Sequence, residues 1–212
     1  MKVFRYIAVI AVMFASSLHV SAQEYIRYSD RIQKCLEEIK EANSQIRSIS
    51  GEFEQRKKFV SGRKINSSGQ MYVSFPDRLA MHYDEPAGDK FIINGQSMYQ
   101  KRNRKENSYD LSRNLLMRNL SNTLLWSFSG NVEELIKAYA ADVSISDEVP
   151  GMIRISISSK AKSSKGYSFI ELLYDKKDLH LRMMATVESN GAETIYILKS
   201  PVFDCSIPDD RF

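Results

Sequence analysis

The sequence predicts a mainly β fold of α+β class: about ten or eleven antiparallel strands, one N-terminal helix and a central helical insertion. Three observations carry this. Met71, Val73, Leu79, Met81 and Tyr83 hold the odd positions of two runs whose even positions are Gln70, Tyr72, Ser74, Arg78, Ala80 and His82. Period two marks strands with two unlike faces. Asn94-Gly95 then separates Phe91–Asn94 from Ser97–Lys101; both residues tolerate positive φ, which makes the pair a strong hairpin signal. Finally, no strand–helix–strand rhythm, fixed-period repeat or linker interrupts the chain, so one domain is expected.

At the N-terminus, Lys2 and Arg5 precede an apolar run from Tyr6 to about Leu18, and Val20-Ser21-Ala22 supplies small residues before Gln23. This is the pattern of a secretory signal peptide over residues 1–22. The apolar run is shorter than the ~20 residues of a membrane span. No Cys follows the cleavage site directly, so the mature chain is not expected to be lipidated there. The domain is expected over residues 23–212.

Ser29 or Asp30 can cap a helix running to about Arg47, with Ile32, Cys35, Leu36, Ile39 and Ile46 on one stripe. Strands are expected over Ile49–Val60 and Ile65–Ser74, joined at Ser61-Gly62-Arg63-Lys64. Phe75-Pro76-Asp77 breaks the next pair, since Pro lacks a ladder donor. A short strand follows at Ser108–Leu111. Leu115, Leu116, Leu120, Leu124, Leu125, Trp126 and Phe128, interrupted by polar residues, read as mixed helix and loop. A helix is expected over Val132–Ala141. Strands then return: Val143–Ser146, Ile153–Ser158, Tyr167–Tyr174, Thr194–Lys199, and a run in which Leu179, Leu181, Met183, Ala185 and Val187 form one odd-position face.

The formal net charge of +4 falls by two when Lys2 and Arg5 leave with the signal peptide. A balance so near neutral does not argue for nucleic acid. Basic residues do cluster locally, at Arg56-Lys57-Lys58, Arg63-Lys64, Lys101-Arg102 and Arg104-Lys105. Such clusters are either solvated turns or a docking patch for an acidic partner or anionic membrane face. Cys35 and Cys205 can pair in an oxidising compartment or remain two thiols; spacing does not decide.

Catalytic chemistry is thinly represented. His82 and His180 sit at even positions and are expected to face solvent. No nucleophile elbow, zinc-ligand spacing or phosphate-binding glycine loop is present. Asp84-Glu85 and Asp209-Asp210 lie beside Pro in turns. The sequence therefore argues against an enzyme and calls for no cofactor and no metal. The positive signal is an apolar surplus. A curled sheet would make a trough lined by Phe53, Met71, Val73, Leu79, Met81, Tyr83, Phe91 and Ile93. Leu116, Leu120, Leu124, Leu125 and Trp126 would close it, and methionine adapts to flexible guests. The same residues also suit the filled core of a β-sandwich.

Phe53-Glu54-Gln55, Gly69-Gln70-Met71-Tyr72-Val73 leading to Pro76, Leu79 to Tyr83, Glu85-Pro86 and Phe91 to Tyr99 together resemble the outer-membrane lipoprotein carrier (LolA-like) family, in order and spacing. Glu188 to Leu198 is similar to that family's penultimate hairpin. The resemblance implies an unclosed, strongly curved antiparallel barrel lidded by helices, and a periplasmic location. It also implies acylated lipoproteins as cargo, an inner-membrane lipoprotein-releasing transporter as donor, and an outer-membrane acceptor or the membrane itself as recipient. By the same resemblance Leu79, Met81 and Tyr83 line the cavity, Leu124, Leu125 and Trp126 belong to the lid, and the chain works as a monomer. Many members carry Arg immediately before the motif's Pro; here the residue is Phe75, which leaves lid control or cargo open. The alternatives are a periplasmic module for another amphiphile and an interaction domain with a filled core.

Overall fold

A computed structural model describes residues 22–160 and 166–212. The expected signal peptide lies outside them apart from Ala22. Eleven strands form one sheet among the described residues: β1 (Ser48–Lys58), β2 (Lys64–Ser74), β3 (Arg78–Glu85), β4 (Lys90–Asn94), β5 (Ser97–Arg102), β6 (Lys105–Asp110), β7 (Ala141–Ser146), β8 (Met152–Ser159), β9 (Tyr167–Asp175), β10 (Leu181–Glu188) and β11 (Glu193–Phe203). The spatial order is β6-β5-β4-β3-β2-β1-β11-β10-β9-β8-β7, and neighbours are antiparallel. The strands β6 and β7 are left as edges, so this is an unclosed barrel. Helix α1 (Ala22–Ser44) precedes the sheet, while α2 (Leu115–Phe128) and α3 (Val132–Ala138) fall in the chain between the two edge strands. No helix among the described residues is long and apolar enough to cross a membrane.

The segment expected to mix helix and loop is one continuous helix, α2. Asn114 caps it, its side chain accepting the amide of Met117 at 3.1 Å. Leu116, Leu120, Leu124 and Phe128 recur every fourth residue, and neither Gly nor Pro occurs before Gly130. The polar residues that suggested a loop are accommodated by internal bonds. Ser127 donates to the carbonyl of Thr123 at 2.7 Å, and Thr123 shares a bond with the Tyr139 hydroxyl at 2.8 Å. Gly130 then turns at φ +70°, and a Cβ there would lie 2.9 Å from the Ile39 carbonyl of α1. Only glycine lets α1 approach so closely.

Gly69 is the corresponding point in the sheet. It sits at a register shift between β2 and β3, and a Cβ would meet the His82 carbonyl at 2.0 Å.

The face expected from Leu179, Leu181, Met183, Ala185 and Val187 does not exist as one surface. A shift in pairing between Leu181 and Met183 moves Met184 and Thr186 to the concave side, opposite Tyr196 and Thr194. Leu181 stays concave, whereas Met183, Ala185 and Val187 face outward. Strand β10 is thus apolar on both sides, and odd-even parity fails at the bulge.

Nor do the two histidines lie open to solvent. After β11 the chain crosses the convex side and ends in a 3-10 turn at Asp209–Arg211. There His82 Nε2 donates to the Arg211 carbonyl at 2.8 Å, and Arg78 pairs with Asp209 at 2.9 Å beneath the Phe212 ring. Between them Ala80 is fully buried. His180 packs 4.2 Å from the Phe203 ring centroid and bonds Asn43 at 3.1 Å. Both cysteines are free. Cys35 neighbours Tyr174 on the concave side, while Cys205 reaches Ser50 on the convex side at 3.2 Å, so the sheet separates them.

Candidate functional site

Strands β1, β3, β5 and β10 run toward one end of the sheet, and along each the inward residues change in the same sense. On β1 they pass from Ile49 and Phe53 to Gln55 and Lys57. On β3 they pass from Leu79 and Met81 to Tyr83, on β5 from Met98 to Gln100 and Arg102, and on β10 from Met184 to Thr186 and Glu188. One end of the concave face is oily; the other turns polar.

The helices cover the oily end completely. Phe53, Met71, Val73, Leu79, Met81 and Ile93 are at most 1 % exposed and form the core with Phe128 and Leu135. Toward the polar end the sheet and α2 part, leaving a cavity of about 380 Å³. Tyr83, Phe91, Met98, Tyr109, Tyr167 and Tyr196 line it from the sheet, and Leu116, Met117, Leu120 and Leu124 from α2. A second hollow, of about 530 Å³, lies on the far side of Leu116 and Tyr167, under the first turn of α2.

Gln55 organises the polar part of the wall. Its Oε1 accepts from the Tyr83 hydroxyl at 3.1 Å, and its side chain also bonds the Tyr196 hydroxyl. Desolvation pushes the Tyr196 phenol up to about 12, and those of Tyr83 and Tyr167 well above the usual range. These hydroxyls stay neutral and serve as hydrogen-bonding groups. Lys57 and Glu188 pair across the mouth at 3.0 Å. Arg102, beside the Tyr83 and Tyr196 hydroxyls, makes no ion pair among the described residues. No cluster of three metal-ligating side chains occurs among the described residues. The arrangement offers a chamber with an aliphatic wall on α2 and a polar, mainly cationic lining toward its entrance.

Of the residues proposed from sequence, Tyr83, Phe91, Leu116, Leu120 and Leu124 meet at the cavity. Phe53, Met71, Val73, Leu79, Met81 and Ile93 lie in the packed core beyond it. Leu125 is buried outside the lining, and Trp126 is half-buried against the core. Phe75, standing where many family members carry Arg, also packs half-buried against the core. Sequence reasoning did not place Gln55, Lys57, Arg102, Glu188 and Tyr196 at the cavity. Their signal was available: each is a polar or amphipathic residue at an inward position of a strand.

Residues 44–212 match the family model described as outer membrane lipoprotein carrier protein LolA. The chain belongs to the LolA family. No curated protein matches it significantly by sequence. Among solved structures, a LolA superfamily protein from Nitrosomonas europaea is 10% identical, with 84% of this chain and 95% of that one covered and a TM-score of 0.43. A putative outer membrane lipoprotein-sorting protein domain from Vibrio parahaemolyticus is 12% identical, with 84% and 94% covered and a TM-score of 0.46. MucB, a protein of Pseudomonas aeruginosa, is 12% identical over 85% of this chain and 62% of its own, with a TM-score of 0.52. At such identities MucB shares the fold alone. The role of this member has to be argued from its cavity.

Proposed function

We propose that this chain is a periplasmic carrier that holds acyl chains of lipoproteins in its cavity and moves them from the inner to the outer membrane. The observation that supports this most is the cavity itself: a chamber between a concave sheet and α2, walled by Leu116, Leu120 and Leu124 of α2 and by Phe91 and Met98 of the sheet, with polar and charged groups such as Gln55, Lys57, Arg102 and Glu188 making up the rest of its lining. An acyl chain with a polar head has that same distribution. At ~30 Å³ each, the volume of a water in the liquid, 380 Å³ admits about a dozen methylene-sized groups. Burying that many releases roughly 10 kcal/mol at ~0.8 kcal/mol per methylene. A rigid site so favourable would not let go. A carrier needs a cover whose closure competes with filling, and α2 supplies one, because its Leu116, Leu120 and Leu124 line the same space as the guest. A cargo with several acyl chains requires α2 to move outward, since the cavity as it stands fits about one.

The test is transfer. The mature protein is incubated with membranes bearing an acylated lipoprotein, and soluble complex is measured. A soluble one-to-one complex is expected. Leu124→Asp, which places charge against the guest, is expected to lower its yield at least about tenfold, from the loss of one buried aliphatic side chain. Trp126→Ser, outside the lining, tests α2 as a cover by changing the rate of release. Unchanged uptake and release in both variants would remove α2 from the mechanism. Absence of complex with wild-type protein would remove the carrier role.

A further inference from the structure

The basic clusters that lie far apart in sequence are gathered by the topology at one place. The turns β1–β2, β3–β4 and β5–β6 all fall at the mouth end of the sheet, because β1, β3 and β5 run toward it. They bring Arg63, Lys64, Lys90, Arg104 and Lys105 to the rim, and none of these makes an ion pair among the described residues. The acids Glu106, Glu188 and Glu193 at this end are already paired with Lys101, Lys57 and Lys58, and Asp89 is buried. Asp84 and Glu85 are the exposed counter-charges that remain near the rim. Turns at the opposite end carry Asp77, Asp147, Asp178 and Asp204, with Lys176 and Lys177 as bases among them and Lys176 paired with Asp147. The tip of the β1–β2 turn is apolar. Val60 is 69% exposed, and Phe59 beside it is flanked by Lys57 at 5.4 Å and Arg63 at 4.8 Å from its ring centroid.

We propose that this end of the molecule docks on an anionic phospholipid surface, with Phe59 and Val60 entering the interface and Arg63, Lys64, Arg104 and Lys105 contacting head groups. Two features favour a bilayer over an acidic protein. The cations stand on separate hairpins around an opening, which suits a plane of diffuse charge. The residues that project beyond them are an aliphatic and an aromatic side chain bracketed by bases, the pattern of a membrane-interface anchor. Docking in this pose sets the cavity mouth against the bilayer, so an acyl chain passes between the two without crossing water. The inference rests on the carrier reading for its purpose, but its test does not.

Co-sedimentation of the mature protein is measured with vesicles of phosphatidylglycerol mixed with phosphatidylcholine, and with phosphatidylcholine alone. Binding to the anionic vesicles, weakened by salt, is expected. Arg63→Gln with Lys64→Gln should weaken it by about fivefold per residue neutralised. Val60→Asp should weaken it too. Lys176→Gln with Lys177→Gln, the same charge change at the far end, should leave it intact. These surface variants are also assayed for uptake of a fluorescent fatty acid in vesicle-free buffer, where no change is expected. Equal binding to both vesicle types, or none to either, overturns the docking inference, and intact fatty-acid uptake then shows that the carrier reading survives it. Binding to poly-glutamate but not to vesicles overturns it in favour of an acidic protein. Vesicle binding without fatty-acid uptake upholds docking and counts against the carrier.

Discussion

The two ends of the concave face are built from the same strands and differ in what their inward residues do. At the closed end, Leu79, Met81 and Ile93 meet Met71 and Val73 with no space left between them and the helices. Toward the mouth, Tyr83, Phe91 and Tyr196 occupy the continuing positions and face the cavity instead of the helices. The first region holds the fold and the second leaves room for a guest. Unlike the aliphatic residues, Tyr83 and Tyr196 carry hydroxyls that are tied together through the Gln55 amide, so this part of the wall stands without a helix pressed against it.

Truncation on either side of that boundary is the sharpest way to break the contrast. Leu79→Ala or Met81→Ala, in the packed half, should cost about 2–5 kcal/mol of stability, since each leaves a void that the helices cannot close. Phe91→Ala, on the cavity wall, should cost well under half of that, because one side of the ring faces the cavity and has no protein atoms packed on it. Its effect should appear instead as weaker uptake of a fluorescent fatty acid. Urea denaturation with the binding assay reads both. Equal stability losses would mean that the cavity wall is packed as tightly as the core.

Overpacking gives the next effect. Gly69→Ala puts a methyl group on the His82 carbonyl and should cost about 1–3 kcal/mol, or more where the backbone cannot yield. Gln55→Leu is of similar size. It keeps the volume but leaves the Tyr83 and Tyr196 hydroxyls without their shared partner, at about 1–3 kcal/mol for a buried group left unpaired. A neutral outcome would mean that water or the neighbouring Arg102 replaces the amide.

Much of the fold was legible, and the reason is physical. Period two in Met71–Val73 and Leu79–Tyr83, with the Asn94-Gly95 turn, specifies strands and register locally, so the β2–β5 meander could be read from the residues alone. Parity failed in β10, where the bulge after Leu181 exchanges the faces without leaving a mark in the apolar pattern. It also failed to expose the covering of His82, because the segment that covers it comes from the last four residues. For the cavity, alternation told which face a residue is on but not how far along the strand it lies. The run Ile49, Phe53, Gln55, Lys57 held that second piece of information, in the point at which inward residues cease to be aliphatic.

The smallest effect concerns the closed end and its dependence on pH. Asn43 donates to the carbonyls of Ile39 at 2.7 Å and Leu179 at 2.9 Å, so its Oδ1 is turned to His180 Nδ1, which must carry the proton. That contact and the Phe203 ring tie the end of α1 to the β9–β10 turn and to β11. Burial holds the His180 pKa below its ordinary value and Arg182 acts in the same sense, while Asp178, Asp175 and Asp204 oppose them. The unfolded chain therefore binds this proton first as pH falls, and stability declines as pH drops below about 6.5 toward the lower folded-state value. Above that range the contribution is complete and flat. His180→Gln retains a donor for Asn43 and cannot titrate, so its melting temperature should fall less than the wild type's between about pH 7 and about pH 5. Parallel curves for the two proteins would place the acid sensitivity elsewhere, whereas convergence at low pH would make His180 the residue through which acid loosens the packed end.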